Sequence, residues 1–171
     1  IPKVFMPALD KQYFTLDVWL PEGTKIEETD RQVMEMSEYI RGQEETEIGS
    51  TYIGRTPPRY YLSNVSFGPQ SNYAQILVKC KTSELSRQLH TRLQDSISLK
   101  YPEPLIKVNK FELSPLTEAV IEARFLGPDP AVLDSLVGQA IEIMRQNPKV
   151  ADARNEWGNM SMVIRPVYDP V

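Results

Sequence analysis

The stretch Tyr13–Thr24, YFTLDVWLPEGT, decides the fold. Phe14, Leu16, Val18 and Leu20 fall on alternate positions, with Thr15 and Asp17 between them. A period of two in apolar residues marks a strand that sets one face on a core. The turn residues of LPEGT then break the strand. Thr24 and Glu27 have the S/T-x-x-E spacing of a capping box, which satisfies the free amides of a helix start. Ile26, Val33, Met36 and Ile40 follow at helical spacing, and Gly42 is the stop.

Working outward, Ser50–Ile53 reads as a short strand and Tyr73–Lys81 as a longer one, with Ala74, Ile76, Val78 and Cys80 on one face. Ser83 is placed to cap a helix whose seam is Leu85, Leu89, Leu93 and Ile97. The run YPEP (101–104) ends it, because proline lacks an amide donor and disfavours helix in the preceding residue. Leu105–Leu113 is a fourth strand. The order βαββαβ is the split-βαβ, ferredoxin-like arrangement of an α+β domain. Two helices then cover one face of a four-stranded antiparallel sheet, and the other face is left for solvent, ligand or partner.

After residue 117 the pattern restarts. Glu118–Leu126 reads as a strand. Asp129 is an N-cap with Pro130 at the first helical position. Leu133, Leu136, Val137, Ala140, Ile141 and Met144 line a helix that stops at Asn147-Pro148, and Val150–Trp157 and Met160–Tyr168 read as strands. Residues 1–114 are thus expected to form one ferredoxin-like subdomain, and 115–171 an incomplete second βαβ unit. The chain opens at Ile1 without a methionine and ends mid-pattern, so the expectation is a piece of a longer protein that self-associates through uncovered edges.

Composition narrows the chemistry. The 171 residues carry a net charge of −4, which gives no general attraction to nucleic acid. A single cysteine, Cys80, rules out an internal disulfide framework, and a single histidine, His90, disfavours zinc. His90 sits at the margin of a helical seam and is expected at the surface or boundary. No apolar run reaches the ~20 residues that span a bilayer. The acidic run Gln43–Glu47 reads as a solvated turn, and the methionines at 34, 36, 144, 160 and 162 as core. Glu118 and Glu122 share a strand face without a nucleophile or histidine nearby, so no enzyme and no cofactor are expected.

The residues FMPALDKQYFTLDVWLPEGTKIEETDRQV (5–33) resemble the start of the second large periplasmic loop of resistance-nodulation-division (RND) efflux transporters, of the acriflavine-resistance type. The match lies in Phe5, Pro7, Asp10, Phe14, Leu20, Pro21, Gly23 and Thr24. NPKVADARNEW (147–157) is similar to a stretch of the next subdomain of that loop. The resemblance implies a ferredoxin-like porter subdomain followed by part of a second. It also implies a proton-driven homotrimer in the inner membrane of a Gram-negative bacterium, working with a periplasmic adaptor and an outer-membrane channel.

One segment remains. GRTPPRYYLSNVSFGPQSN (54–72) joins two strands, yet it is far longer than the two to five residues a hairpin needs. By the resemblance it falls where drug pumps carry a switch loop between two binding pockets. Tyr60, Tyr61 and Phe67 offer area and stacking to apolar cargo. Arg59 is placed to meet an anionic group or an aromatic face. These four are the candidate substrate-binding residues, for drugs or other amphiphiles. The same aromatics can instead pack on the sheet and anchor the loop. Two other functions fit the sequence: a heavy-metal exporter of the same family, or a free-standing ferredoxin-like module that binds a ligand or partner.

Overall fold

In a computed structural model of the protein, which describes residues 10–59, 61, 66–111, 121–147, 150, 153–155, 157, 164, 166 and 167, the alternating segment becomes strand β1 (Tyr13–Trp19). It is followed by α1 (Ile26–Arg41), β2 (Thr46–Ile53), β3 (Tyr73–Cys80), α2 (Ser83–Lys100) and β4 (Leu105–Lys110). A further helix, α3 (Pro130–Arg145), lies beyond them. The chain divides into two compact units, 1–116 and 117–171. The first is α+β, with one four-stranded sheet in the order β2-β3-β1-β4. Every neighbouring pair is antiparallel.

The even-numbered residues of β1 decide where the core sits. Leu16 lies opposite Ile76 on β3 and Val108 on β4. Phe14, Leu16 and Val18 join Ala74, Ile76, Val78 and Cys80 in a single buried cluster with Val33, Met36 and Ile40 of α1 and Leu89, Leu93 and Ile97 of α2. Both helices therefore cover the same face of the sheet. Each of the larger side chains among them (Val, Leu, Ile, Met and Phe) gains roughly 1.5–3 kcal/mol on full burial, which drives the helices onto the strands.

Several local details differ from the sequence expectation. Thr24 does not cap α1. Its hydroxyl donates to the Pro21 carbonyl at 2.6 Å and its amide to the same oxygen at 3.1 Å. The hydroxyl is consumed in closing the turn, and the N-cap residue of α1 is Lys25, which supplies no side-chain cap. At α2 the cap is Thr82, not Ser83, with its hydroxyl accepting from the Leu85 amide at 3.2 Å. Strand β2 begins at Thr46, earlier than alternation alone suggests, because the acidic turn is pinned by ion pairs from α2 and β3. Arg92 holds Glu45 at 2.8 Å, and Lys79 holds Glu47 at 2.8 Å. Met34 is 36% exposed, whereas Met36 is in the core. His90 is buried at 6% exposure, not at the surface. Its ring meets Phe14 edge-on at 5.8 Å and its Nε2 lies 3.3 Å from the Val108 carbonyl oxygen. The side of α2 bearing position 90 faces β1 and β4, so the seam is wider than its leucines.

The long loop leaves and rejoins the sheet through a backbone clasp. The Gly54 amide donates to the Tyr73 carbonyl at 2.8 Å, and the Gln70 amide donates to the Gly54 carbonyl at 2.8 Å. Gly54 has φ +77°, and a Cβ there would lie 3.0 Å from Cδ1 of Ile26. Gly54→Ala is therefore expected to destabilise the first unit by about 1–2 kcal/mol, the cost of a side chain in left-handed backbone. Gly68, with nothing within 4 Å of its would-be Cβ and no positive φ, is the control. Urea unfolding of both alanine variants checks this; equal midpoints would refute it.

In the second unit Asp129 caps α3, its carboxylate accepting from the Ala131 amide at 2.9 Å, with Pro130 at the helix start. The expected strand 118–126 is not formed by its described residues 121–126, and the described parts of 150–157 and 160–168 are likewise not strand. A strand exists only through a paired neighbour, and alternation within one segment cannot supply it. None of the residues of α3 is fully buried, although Leu133, Val137, Ala140, Ile141 and Met144 are partly so.

Candidate functional site

The face of the sheet away from the helices carries the odd-numbered residues of β1 and β3. Register sets them in rows. Tyr13 is beside Lys79, Thr15 beside Leu77, Asp17 beside Gln75, and Trp19 beside Tyr73. On the other side, Asn109 flanks Thr15, and Lys107 flanks Asp17. A half-buried strand would leave this face wet. Here Thr15 and Asp17 are each 7% exposed, Gln75 is 1% and Tyr73 is 0%. The strand is central in the sheet and covered on both sides.

A polar network centres on Asp17. Its Oδ1 accepts from the Tyr73 hydroxyl at 2.5 Å and from Gln75 Nε2 at 2.8 Å. Its Oδ2 accepts from Asn109 Nδ2 at 2.6 Å. A buried carboxylate needs such donors, because desolvation without them costs several kcal/mol. The amide orientation that serves Asp17 leaves Gln75 Oε1 buried without a partner among the described residues. Lys107 lies along the same row, with its Nζ 5.3 Å from the Trp19 ring centre.

The long loop packs on this face. Phe67 meets Trp19 edge-on at 5.8 Å and Tyr73 at 5.2 Å, while Trp19 and Tyr73 are themselves 5.2 Å apart. Aromatic pairs of this kind add about 0.5–1.5 kcal/mol beyond simple burial. Thr56, 4% exposed, fastens the two limbs. Its hydroxyl oxygen accepts from the Phe67 amide at 3.1 Å and lies 3.2 Å from the Ser66 hydroxyl. Tyr61 reaches further along and meets Phe111 edge-on at 4.9 Å.

Between the loop and the strands is an open cavity of about 260 Å³, lined by Lys11, Tyr13, Tyr61, Leu77 and Phe111. Its walls are apolar apart from Lys11. Apolar walls with one placed polar group are the usual make-up of a small-molecule site. Of the four residues marked from the sequence, Tyr61 lines this cavity. Phe67 turns its ring onto Trp19 and Tyr73. Arg59 is exposed, with its Nε 3.5 Å from the Tyr61 carbonyl oxygen. Tyr60 lies outside the described residues, as does the loop centre 62–65.

Tyr13, Leu77 and Phe111 were missed as site residues, yet the sequence carries a signal for them. Each is apolar at a position where alternation calls for a polar residue, since Phe14, Val78 and Val108 hold the core-facing phase. An apolar residue out of phase on a sheet strand signals that the second face is also covered or used.

Among the described residues no group of three or more His, Cys, Asp or Glu side chains is set to hold a metal ion. No described helix is long and apolar enough to cross a membrane. The chain matches no model of a known protein family, and no curated protein matches its sequence.

Proposed function

We propose that this chain is the porter portion of a proton-driven RND efflux transporter that exports drugs or other amphiphiles. One observation carries the reading: a long aromatic loop packs on the helix-free face of an antiparallel sheet and borders an open, largely apolar cavity there. Two features add support. The strand order β2-β3-β1-β4 suits a ferredoxin-like porter subdomain. Of the opening resemblance, the described residues contain Asp10, Phe14 and the turn LPEGT, with Gly23 at φ +86°. In this reading the chain binds cargo and moves with it. Proton relay belongs to membrane helices elsewhere in the transporter. The working assembly is a homotrimer with a periplasmic adaptor and an outer-membrane channel.

Two measurements test the proposal. The coding sequence that flanks the chain is expected to encode apolar runs of ~20 residues, as membrane helices require; stop codons on both sides would end the reading. In the transporter, Tyr60→Ala, Tyr61→Ala and Phe67→Ala, with expression confirmed, are expected to raise drug susceptibility. Losing one aromatic contact costs about 1 kcal/mol, a several-fold drop in affinity. Unchanged resistance to every compound would make the loop a structural cover only.

A further inference from the structure

We infer that the cavity on the helix-free face takes an anionic guest, a flat aromatic or alicyclic carboxylate, and that Lys11 is the residue that reads its charge. The inference rests on the reading of this face as an amphiphile-binding surface and adds the sign of the head group. Four of the five lining residues are apolar or aromatic: Tyr13, Tyr61, Leu77 and Phe111. Tyr61 and Phe111 stand edge to face at 4.9 Å, which leaves ring faces and edges toward the space between loop and sheet. A volume of about 260 Å³ suits a two-ring body better than a large drug.

Of the five lining residues only Lys11 is charged. The described salt bridges engage Arg31, Lys79, Arg87, Arg92 and Arg124, so Lys11 makes none among the described residues. Glu47, beside this face of the sheet, is held by Lys79 at 2.8 Å. Asp17 lies one row beyond Leu77 and accepts from Tyr73, Gln75 and Asn109. A carboxylate seated with its ring on Tyr13 and Leu77 meets the Lys11 ammonium. An ammonium in the same place meets a like charge. Lys11 is exposed, so the ion pair is solvent-screened and its expected effect is modest.

The test uses three probes of one shape: 2-naphthoate, 2-naphthamide and 2-naphthylmethylammonium. Each is titrated into the full chain and followed by amide chemical shifts at Tyr13, Tyr61 and Leu77. Naphthoate is expected to bind about two- to five-fold more tightly than the amide, as an exposed ion pair allows, and the ammonium more weakly than the amide. Lys11→Met keeps the apolar stem and removes the charge. It is expected to level naphthoate with naphthamide and leave the amide's affinity unchanged, while Lys11→Glu inverts the ranking. Leu77→Ala weakens all three alike. If the probes bind equally in the wild-type chain, or the ranking survives Lys11→Met, the anion inference is overturned while amphiphile binding stands. If none of the three shifts those amides, amphiphile binding at this face fails as well.

Discussion

Asp17→Ala is expected to lower the stability of the first unit by about 3–4 kcal/mol, among the larger effects a single substitution produces. The carboxylate is the shared acceptor of three donors, the Tyr73 hydroxyl and the Gln75 and Asn109 amides. Hydrogen bonds to a charged group contribute roughly 1.5–3 kcal/mol each, and a buried donor left alone costs about 1–3 kcal/mol. Two of the three donors sit on side chains that are 0% and 1% exposed, so water cannot readily replace the carboxylate. Asn109 is partly exposed and can turn to solvent, which keeps the total below a simple sum. Asp17→Asn retains an acceptor for Tyr73 and Gln75 but sets an amide against Asn109. It is expected to cost about half as much. Urea unfolding of both variants measures this. A loss below about 1 kcal/mol for the alanine variant would mean that the network is solvated in solution and contributes specificity rather than stability.

The second large effect is a loss of stability on acidification, centred on His90. Burial between α2 and the sheet pushes its pKa down from 6.5 to about 4, and the Lys110 charge pushes it the same way. The contact with the Val108 carbonyl opposes both. The folded chain therefore holds this ring neutral. As pH falls below 6.5 the unfolded chain takes up a proton that the folded chain refuses, so stability declines down to about pH 4 and levels off below it. The decline amounts to roughly 3 kcal/mol at most, because a tenfold difference in proton affinity is about 1.4 kcal/mol. Carboxylates also titrate across this range. The informative quantity is thus the difference between the wild-type chain and His90→Gln, which keeps a donor for Val108 and does not ionise. The two stability profiles are expected to run parallel above pH 7 and diverge between pH 6.5 and 4. Parallel profiles throughout would place His90 in contact with water.

The strand β1 and the helices α1 and α2 were legible from periodicity because their patterns are local. Phe14, Leu16, Val18 and Leu20 alternate over one short run, and Leu89, Leu93 and Ile97 recur every four residues. Such patterns need only one buried face, and any partner of the right shape provides it. The order βαββαβ followed from counting these segments, and the sheet order agrees with it. Helix caps were less legible. Thr24 and Ser83 had the right chemistry, but a hydroxyl has several backbone partners within reach, and Pro21 and the preceding Thr82 decided the outcome.

What only the tertiary structure decided lies on the second face of the sheet. From the sequence, Asp17 was the polar side of a half-buried strand. Its burial depends on β3 and β4 bringing Tyr73, Gln75 and Asn109 alongside it and on Phe67 packing beyond them, contacts separated by up to 92 residues. The loop's aromatics were visible as sticky side chains, but which of them line a cavity was not. Phe67 goes to Trp19 and Tyr73, and Tyr61 to Phe111 and the cavity, according to where the loop's clasp at Gly54 and Gln70 sets each ring. The described residues of the strands expected after residue 117 are not strand, for the same reason in reverse. Alternation proposes a face, but a strand forms only when another backbone answers its amides and carbonyls. Sequence pattern thus determined which residues seek burial on the helix side. Long-range pairing alone determined what became of the other side, because a side chain's own neighbours in sequence do not specify what will cover it.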